Sequence, residues 1–170
     1  MIRFSTRAEY GIRMMMALAR FHGQGPRSVA EIARTEALPA PYLEQLVGKL
    51  RKAGLVASHQ GAHGGYVLTR PPLQITIGEV MRVLEGPISP MICATEGDTE
   101  MQCDRQYYCA ASLVWERVRD SVADALDSLT LADLVPPKNG KAVPLGADDL
   151  ALFGAVDMPT TTHGRNASNA

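Results

Sequence analysis

Apolar residues return at helical spacing through Ile12, Met15, Met16 and Ala19, which predicts a first helix ending near Gly23 and Gly25. A second is expected over residues 28–37, burying Val29, Ile32 and Ala33. Pro41 suits the opening of a third, because its missing N–H costs nothing in a first turn. That helix lines up Leu43, Leu46, Val47 and Leu50 on one face and stops at Gly54. Two β-type runs follow, 55–59 and 66–69, joined by the turn sequence Gly61-Ala62-His63-Gly64-Gly65. Pro71-Pro72 ends the hairpin, and a short helix over 77–84 closes at Gly86-Pro87. A longer helix is expected over 106–129, where Val114, Val118, Val122, Leu126 and Leu129 form one stripe. Its length, and how little follows it, favour a dimer interface over a core helix.

Three helix starts carry the same signature, a Ser or Thr followed three residues later by Glu: Thr6 and Glu9, Ser28 and Glu31, Thr76 and Glu79. Such capping boxes satisfy backbone N–H groups that a first turn leaves unpaired. The fold class is therefore mainly α with a small β-hairpin. The order helix, turn, helix, hairpin is that of a winged helix-turn-helix, here with a long dimerisation helix behind it. In that arrangement the second helix of the pair enters the major groove and the wing reaches the neighbouring backbone. The expected division is a winged DNA-binding domain over 1–86, a cluster-binding loop over 87–105, a dimerisation helix and its end over 106–135, and a disordered tail over 136–170.

The candidate DNA-binding residues follow from this layout. Tyr42, Gln45, Lys49 and Lys52 lie off the apolar face of the third helix, and His59, Gln60 and His63 offer donors in the wing. Gly64 and Gly65 would let the wing backbone approach phosphates, while Arg51, Lys52 and Arg70 would supply phosphate contacts. Charge agrees with a polyanionic partner. Residues 1–86 hold eleven Lys/Arg against six Asp/Glu, although the whole chain has a net charge of −1. No apolar run is long enough for a membrane span, and the N-terminus lacks the pattern of a signal peptide, so a cytoplasmic protein is expected.

Cys93, Cys103 and Cys109 are the only cysteines, with nine and five residues between them. An odd, clustered set is a poor disulfide framework and points to metal or redox chemistry in a reducing compartment. No nucleophile–base pair or phosphate loop accompanies them, so an enzyme is not expected. The run Met14-Met15-Met16 reads as packing, and Trp115 as a neighbour of the stripe.

Tyr42-Leu43-Glu44-Gln45-Leu46, then Leu50-Arg51-Lys52-Ala53-Gly54-Leu55-Val56, then Gly64-Gly65-Tyr66-Val67-Leu68 together resemble the Rrf2 family of bacterial transcription regulators. The similarity continues through Ile75-Thr76-Ile77 and Val80 and returns at Thr130-Leu131-Ala132-Asp133-Leu134. It covers residues 1–135. The resemblance implies a homodimer that represses or activates from a pseudo-palindromic operator in double-stranded DNA. It also implies that Glu44 touches bases, for which a carboxylate accepting from cytosine is the physical warrant. Where relatives often place an arginine in the wing, this chain has Gln60, which bears on which operator is read.

Family members that sense iron–sulfur status or nitric oxide carry three cysteines at this place, usually with a shorter first spacing. The resemblance thus implies an iron–sulfur cluster, 2Fe–2S or 4Fe–4S, on Cys93, Cys103 and Cys109. Cys109 is expected near the N-terminus of the long helix, where the dipole favours a thiolate. One branch takes its fourth ligand from a histidine three residues past the last cysteine, but Ser112 stands there. Another takes a carboxylate from the partner subunit's first helix, a position that Glu9 matches. Against that, Glu9 is already the capping partner of Thr6 in the local reading. Two alternatives stay open: the same scaffold with a zinc or thiol-switch site at the cysteines, or a protein-interaction module that docks an enzyme.

Overall fold

The computed structural model describes residues 5–61, 64–97, 103 and 109–135. Three helices come first: α1 (Thr6–Arg20), α2 (Val29–Glu36) and α3 (Ala40–Lys52). The hairpin strands β1 (Val56–His59) and β2 (Gly65–Leu68) pair antiparallel, with Val56 opposite Leu68 and His59 opposite Gly65. A 3-10 turn (Pro72–Gln74) leads into α4 (Ile77–Glu85), and α5 (Ser112–Asp127) and α6 (Leu131–Leu134) end the described chain. The expected tail lies outside the described residues.

The core sits where α1, α3 and α4 meet. Met14 and Met15 of α1, Leu43 and Leu50 of α3 and Val80 of α4 are fully buried, so two of the three methionines in the run are core packing, with Met16 half-buried. Gly11 lets α1 and α4 touch, since a Cβ there would meet Leu84 Cδ1 at 2.1 Å. Leu131 returns from beyond α5 into the same core.

Two expected caps hold in one direction: the side chains of Ser28 and Thr76 accept from the N–H groups of Glu31 and Glu79, each at 3.1 Å, while the two glutamate carboxylates pair with Arg27 and Arg70. The first does not. Ser5, one residue before Thr6, caps α1 by accepting from the N–H groups of Arg7 and Ala8. Ser5 wins because its hydroxyl also donates to the Glu85 carboxylate at the far end of α4, a partner remote in sequence. Glu9 is thereby released from the capping role.

The long helix also differs from expectation. It begins at Ser112, because the Ser112 N–H and hydroxyl both donate to the Cys109 carbonyl and residues 109–111 form a turn. Its stripe is not uniform: Val114 is 57% exposed, whereas Leu126 and Leu129 pack on the core. The exit of α5 is fixed by two backbone bonds, Ile77 N–H to the Leu129 carbonyl at 2.8 Å and Leu131 N–H to the Ile75 carbonyl at 2.9 Å.

Candidate nucleic-acid interface and cysteine segment

On α3 the apolar residues Leu43, Leu46, Val47 and Leu50 are buried, which turns the opposite face outward. Glu44, Gln45, Lys49, Arg51 and Lys52 are all exposed. Lys49, Arg51 and Lys52 belong to the last turn, where cations complement the helix dipole. Among the described residues none of these three enters an ion pair, so their charge is available to an anionic partner. Tyr42 is placed differently. It is half-buried, its ring edge-on to Tyr10 with centroids 5.7 Å apart. Sequence reasoning passed over Gly48, which lies on the exposed face with nothing within 4 Å of where its Cβ would be. A glycine inside a helix costs about 1 kcal/mol against alanine and here fills no packing need. The available signal was a helix-interior glycine outside the apolar pattern.

The turn that aims α3 is held from behind by a buried acid. Glu36 ends α2 with its side chain 9% exposed, and Arg13 and Arg20 of α1 both reach it. Arg13 also donates to the Glu36 backbone carbonyl, one of those a helix end leaves without a partner. Ala37 follows in the left-handed region at φ 53°, and Leu38 is buried, which locks the step into α3.

In the wing, His59 and Gln60 are exposed, and His63 lies outside the described residues. The two glycines serve the protein's own packing. A Cβ on Gly65 would lie 2.4 Å from the Arg27 carbonyl, and one on Gly64 would lie 2.5 Å from the His59 carbonyl. Gly64 N–H is also already bonded to the Gly61 carbonyl. Gly65 is crowded because Arg27 and Tyr66 exchange two backbone bonds, of 3.0 and 2.8 Å, tying β2 to the start of α2. Arg70, the expected phosphate contact, is already engaged within the fold. It pairs with Glu79 and donates to the Gln74 carbonyl, holding the wing's exit against α4.

The cysteines lie between α4 and α5 in the chain. All three thiols are free; Cys93 and Cys103 are half-buried and Cys109 is exposed. Among the described residues, no three of His, Cys, Asp and Glu gather in a group that could hold a metal ion. Glu9 stands apart on α1, 64% exposed, with a long 3.9 Å contact to Arg13. Arg13 therefore lies between Glu9 and Glu36. Four large apolar residues, Met91, Ile92, Leu113 and Val114, stand exposed on either side of the cysteines. Near Cys93 the segment is anchored: Ala94 is buried, and Glu96 binds Arg82 of α4 through two bonds of 2.8 and 2.6 Å. Arg82 holds the Glu96 carboxyl below its usual pKa. No described helix is long and apolar enough to cross a membrane.

A model of the Rrf2 family, described as iron-dependent transcriptional regulators, matches residues 4–137. The transcriptional regulator CymR of Bacillus subtilis is 45% identical over 140 residues, 82% of this chain and 94% of CymR. Among solved structures, that of the B. subtilis global cysteine regulator CymR superposes with a TM-score of 0.65 at 47% identity, covering 79% of this chain and 96% of that one. T. potens IscR gives a TM-score of 0.64 at 42% identity, covering 78% of this chain and 85% of that one. The helices and single two-stranded hairpin described above are the winged-helix architecture of these regulators.

Proposed function

The chain belongs to the Rrf2 family of DNA-binding transcription regulators, and from that premise we propose that an iron–sulfur cluster on Cys93, Cys103 and Cys109 sets its affinity for DNA. Membership makes it a regulator and not an enzyme. The observation that carries the finer reading is the cysteine segment itself. Its three free thiols lie in one stretch, tied to the core helix α4 at one end and leading into α5 at the other.

The donor set suits such a group in kind, since thiolates are its usual ligands. Glu9 is a fitting fourth donor now that Ser5 caps α1, because its exposed carboxylate has only the long Arg13 contact among the described residues. When bound, the cluster would supply a centre that oxygen or nitric oxide can alter. The chain's own residues do the rest. Glu9 shares Arg13 with Glu36, so the position of the Glu9 carboxylate bears on the turn that aims α3. Met91, Ile92, Leu113 and Val114 form apolar ground for a second subunit, whose α1 would bring its own Glu9 to this segment. In the homodimer, exposed residues of α3, with His59 and Gln60 of the wing, would meet the two halves of a pseudo-palindromic operator.

A second reading has support in the likeness to a global cysteine regulator: the same scaffold with a zinc or thiol-switch site at the cysteines. One experiment separates them. Protein purified without oxygen is examined by visible absorption, with iron and acid-labile sulfide assays, and titrated with operator DNA before and after loss of the cluster. The expected result is a coloured protein with matched iron and sulfide, lost on Cys103→Ala, whose operator affinity changes when the cluster goes. A colourless protein that still binds DNA would leave the zinc or thiol-switch reading in its place.

A further inference from the structure

Arg82 spans two pieces of the chain that nothing local connects. Four N–H directions of its guanidinium are used on two carboxylates. Nε and Nη2 donate to Glu96 at 2.8 and 2.6 Å, and Nη1 and Nη2 donate to Asp127 at 2.6 and 2.7 Å. Glu96 lies three residues past Cys93, and Asp127 ends α5.

Each attachment is built in. The Glu96 N–H donates to the Ile88 carbonyl at 2.9 Å, and the Ile88 N–H donates to the Glu96 carboxylate at 3.2 Å. Residues 88–96 are thus a closed turn with Cys93 inside it. On the α5 side, Gly78 leaves the space the bridge needs, since a Cβ there would lie 1.9 Å from Asp127 Oδ1 and 2.7 Å from Arg82 Nη1. The platform is α4, whose Ile77, Val80, Met81 and Leu84 are buried and which packs on α1 and α3. Bidentate arginine–carboxylate pairs fix orientation as well as distance.

We infer that Arg82 is the positioning residue that registers both the cysteine turn and α5 on the winged fold, so that a change at the cysteines reaches the DNA-binding face through it. This rests on the proposed function in that something must change at the cysteines. A bridge that only stabilises the fold would lower the melting temperature and leave the DNA response intact.

The test uses the full chain as wild type, Arg82→Met and Glu96→Gln, each without metal and after anaerobic loading with iron and sulfide. Glu96→Gln keeps the side-chain shape and covers the case in which Arg82→Met fails to fold. Two quantities are read: the ratio of operator affinities between the two forms, and amide hydrogen exchange at Ile88 and Glu96 in the metal-free form. In the wild type the ratio should fall within about 5–150-fold, the usual range for a coupling between sites. In both variants it should collapse toward one, with exchange at Ile88 and Glu96 speeded by far more than any change at Leu43 and Leu50. Arg82→Lys should restore little, because a point charge cannot hold two carboxylates in a fixed fork. A wild-type response that survives in both variants overturns the role of Arg82 alone. A wild type whose operator affinity ignores iron and sulfide overturns the proposed function, and this coupling with it.

Discussion

Replacing Gly65 with alanine separates two reasons for a glycine in the wing. If the residue is glycine so that phosphates can come close, the methyl group should cost DNA affinity and leave the fold alone. The geometry argues otherwise. The added Cβ would lie 2.4 Å from both the carbonyl carbon and oxygen of Arg27 and 2.8 Å from the Ser28 nitrogen. Carbon contacts relax at about 3.5–4.0 Å, so β2 must retreat by more than about 1 Å. The obstacle is backbone, and it cannot yield easily. Arg27 is pinned by a 2.9 Å ion pair with Glu31 and by stacking 4.0 Å above the Phe21 ring. The retreat breaks the two Arg27–Tyr66 backbone bonds. At about 0.5–1.5 kcal/mol each they total about 1–3 kcal/mol. Alanine returns up to about 1 kcal/mol through the unfolded chain. Taking the middle of each range, the net loss is about 1.5 kcal/mol, a fall of roughly 3–10 °C in Tm for a fold of this size. Circular dichroism melts measure the fall, and hydrogen exchange at Tyr66 should show lost protection. An unchanged Tm with Tyr66 still protected, and only operator affinity reduced, would refute the packing argument.

Glu36→Ala should destabilise the fold by about 1–3 kcal/mol, short of a fully buried pair because Arg13 and Arg20 are each 37% exposed. Denaturant titration checks this, and a midpoint equal to wild type would count against the clamp behind α3. Lys49→Ala and Lys52→Ala should each reduce the slope of log affinity against log salt by about 0.9 per lost phosphate contact, with Tm unchanged. An unaltered slope in operator titrations would remove these residues from the interface. The Arg82 bridge should also show in the acid range. Hydrogen bonds from Arg82 hold Glu96 and Asp127 below the ordinary carboxylate pKa. Their contribution is therefore complete above about pH 4.5 and is lost as pH falls through the lower, folded values. The gap in Tm between wild type and Arg82→Met should be full at pH 7 and narrow below about pH 4; a constant gap down to about pH 3 would show that the bridge contributes nothing electrostatic.

How far the sequence could be read depended on the range of the forces involved. Ser28 and Thr76 were legible as caps because both partners lie within one turn. At α1 the same rule pointed one residue too far along, since Ser5 is preferred through Glu85, eighty positions away. The apolar face of α3 was legible from periodicity, and the exposed residues followed from it. Glu36 was not, because its burial depends on arginines 16 and 23 residues earlier. Arg82 carried no local mark either, with Glu96 14 residues away and Asp127 45. The stripe on α5 was a true helical signal, yet it could not show that the helix starts only where Ser112 closes on Cys109.

The place of the cysteines in this stability pattern bears on how a switch can work here. The core is drawn from α1–α4, the hairpin and Leu131, whereas α5 fully buries only Ser112. The first turn of α5 and the residues before Cys93 leave Leu113, Val114, Met91 and Ile92 exposed. A ligand can shift an equilibrium only by its differential affinity for the two states, typically a few kcal/mol. Cysteines inside the α1–α4 core would have to work against the cooperative stability of the whole fold. Placed between α4 and the exposed first turn of α5, they would in the proposed mechanism act on residues outside that core. Such a segment affects DNA binding only if it is attached to something rigid. In the proposed mechanism that attachment is where Arg82 meets Glu96 and Asp127, and the operator response is then expected to be more sensitive to these three residues than global stability is.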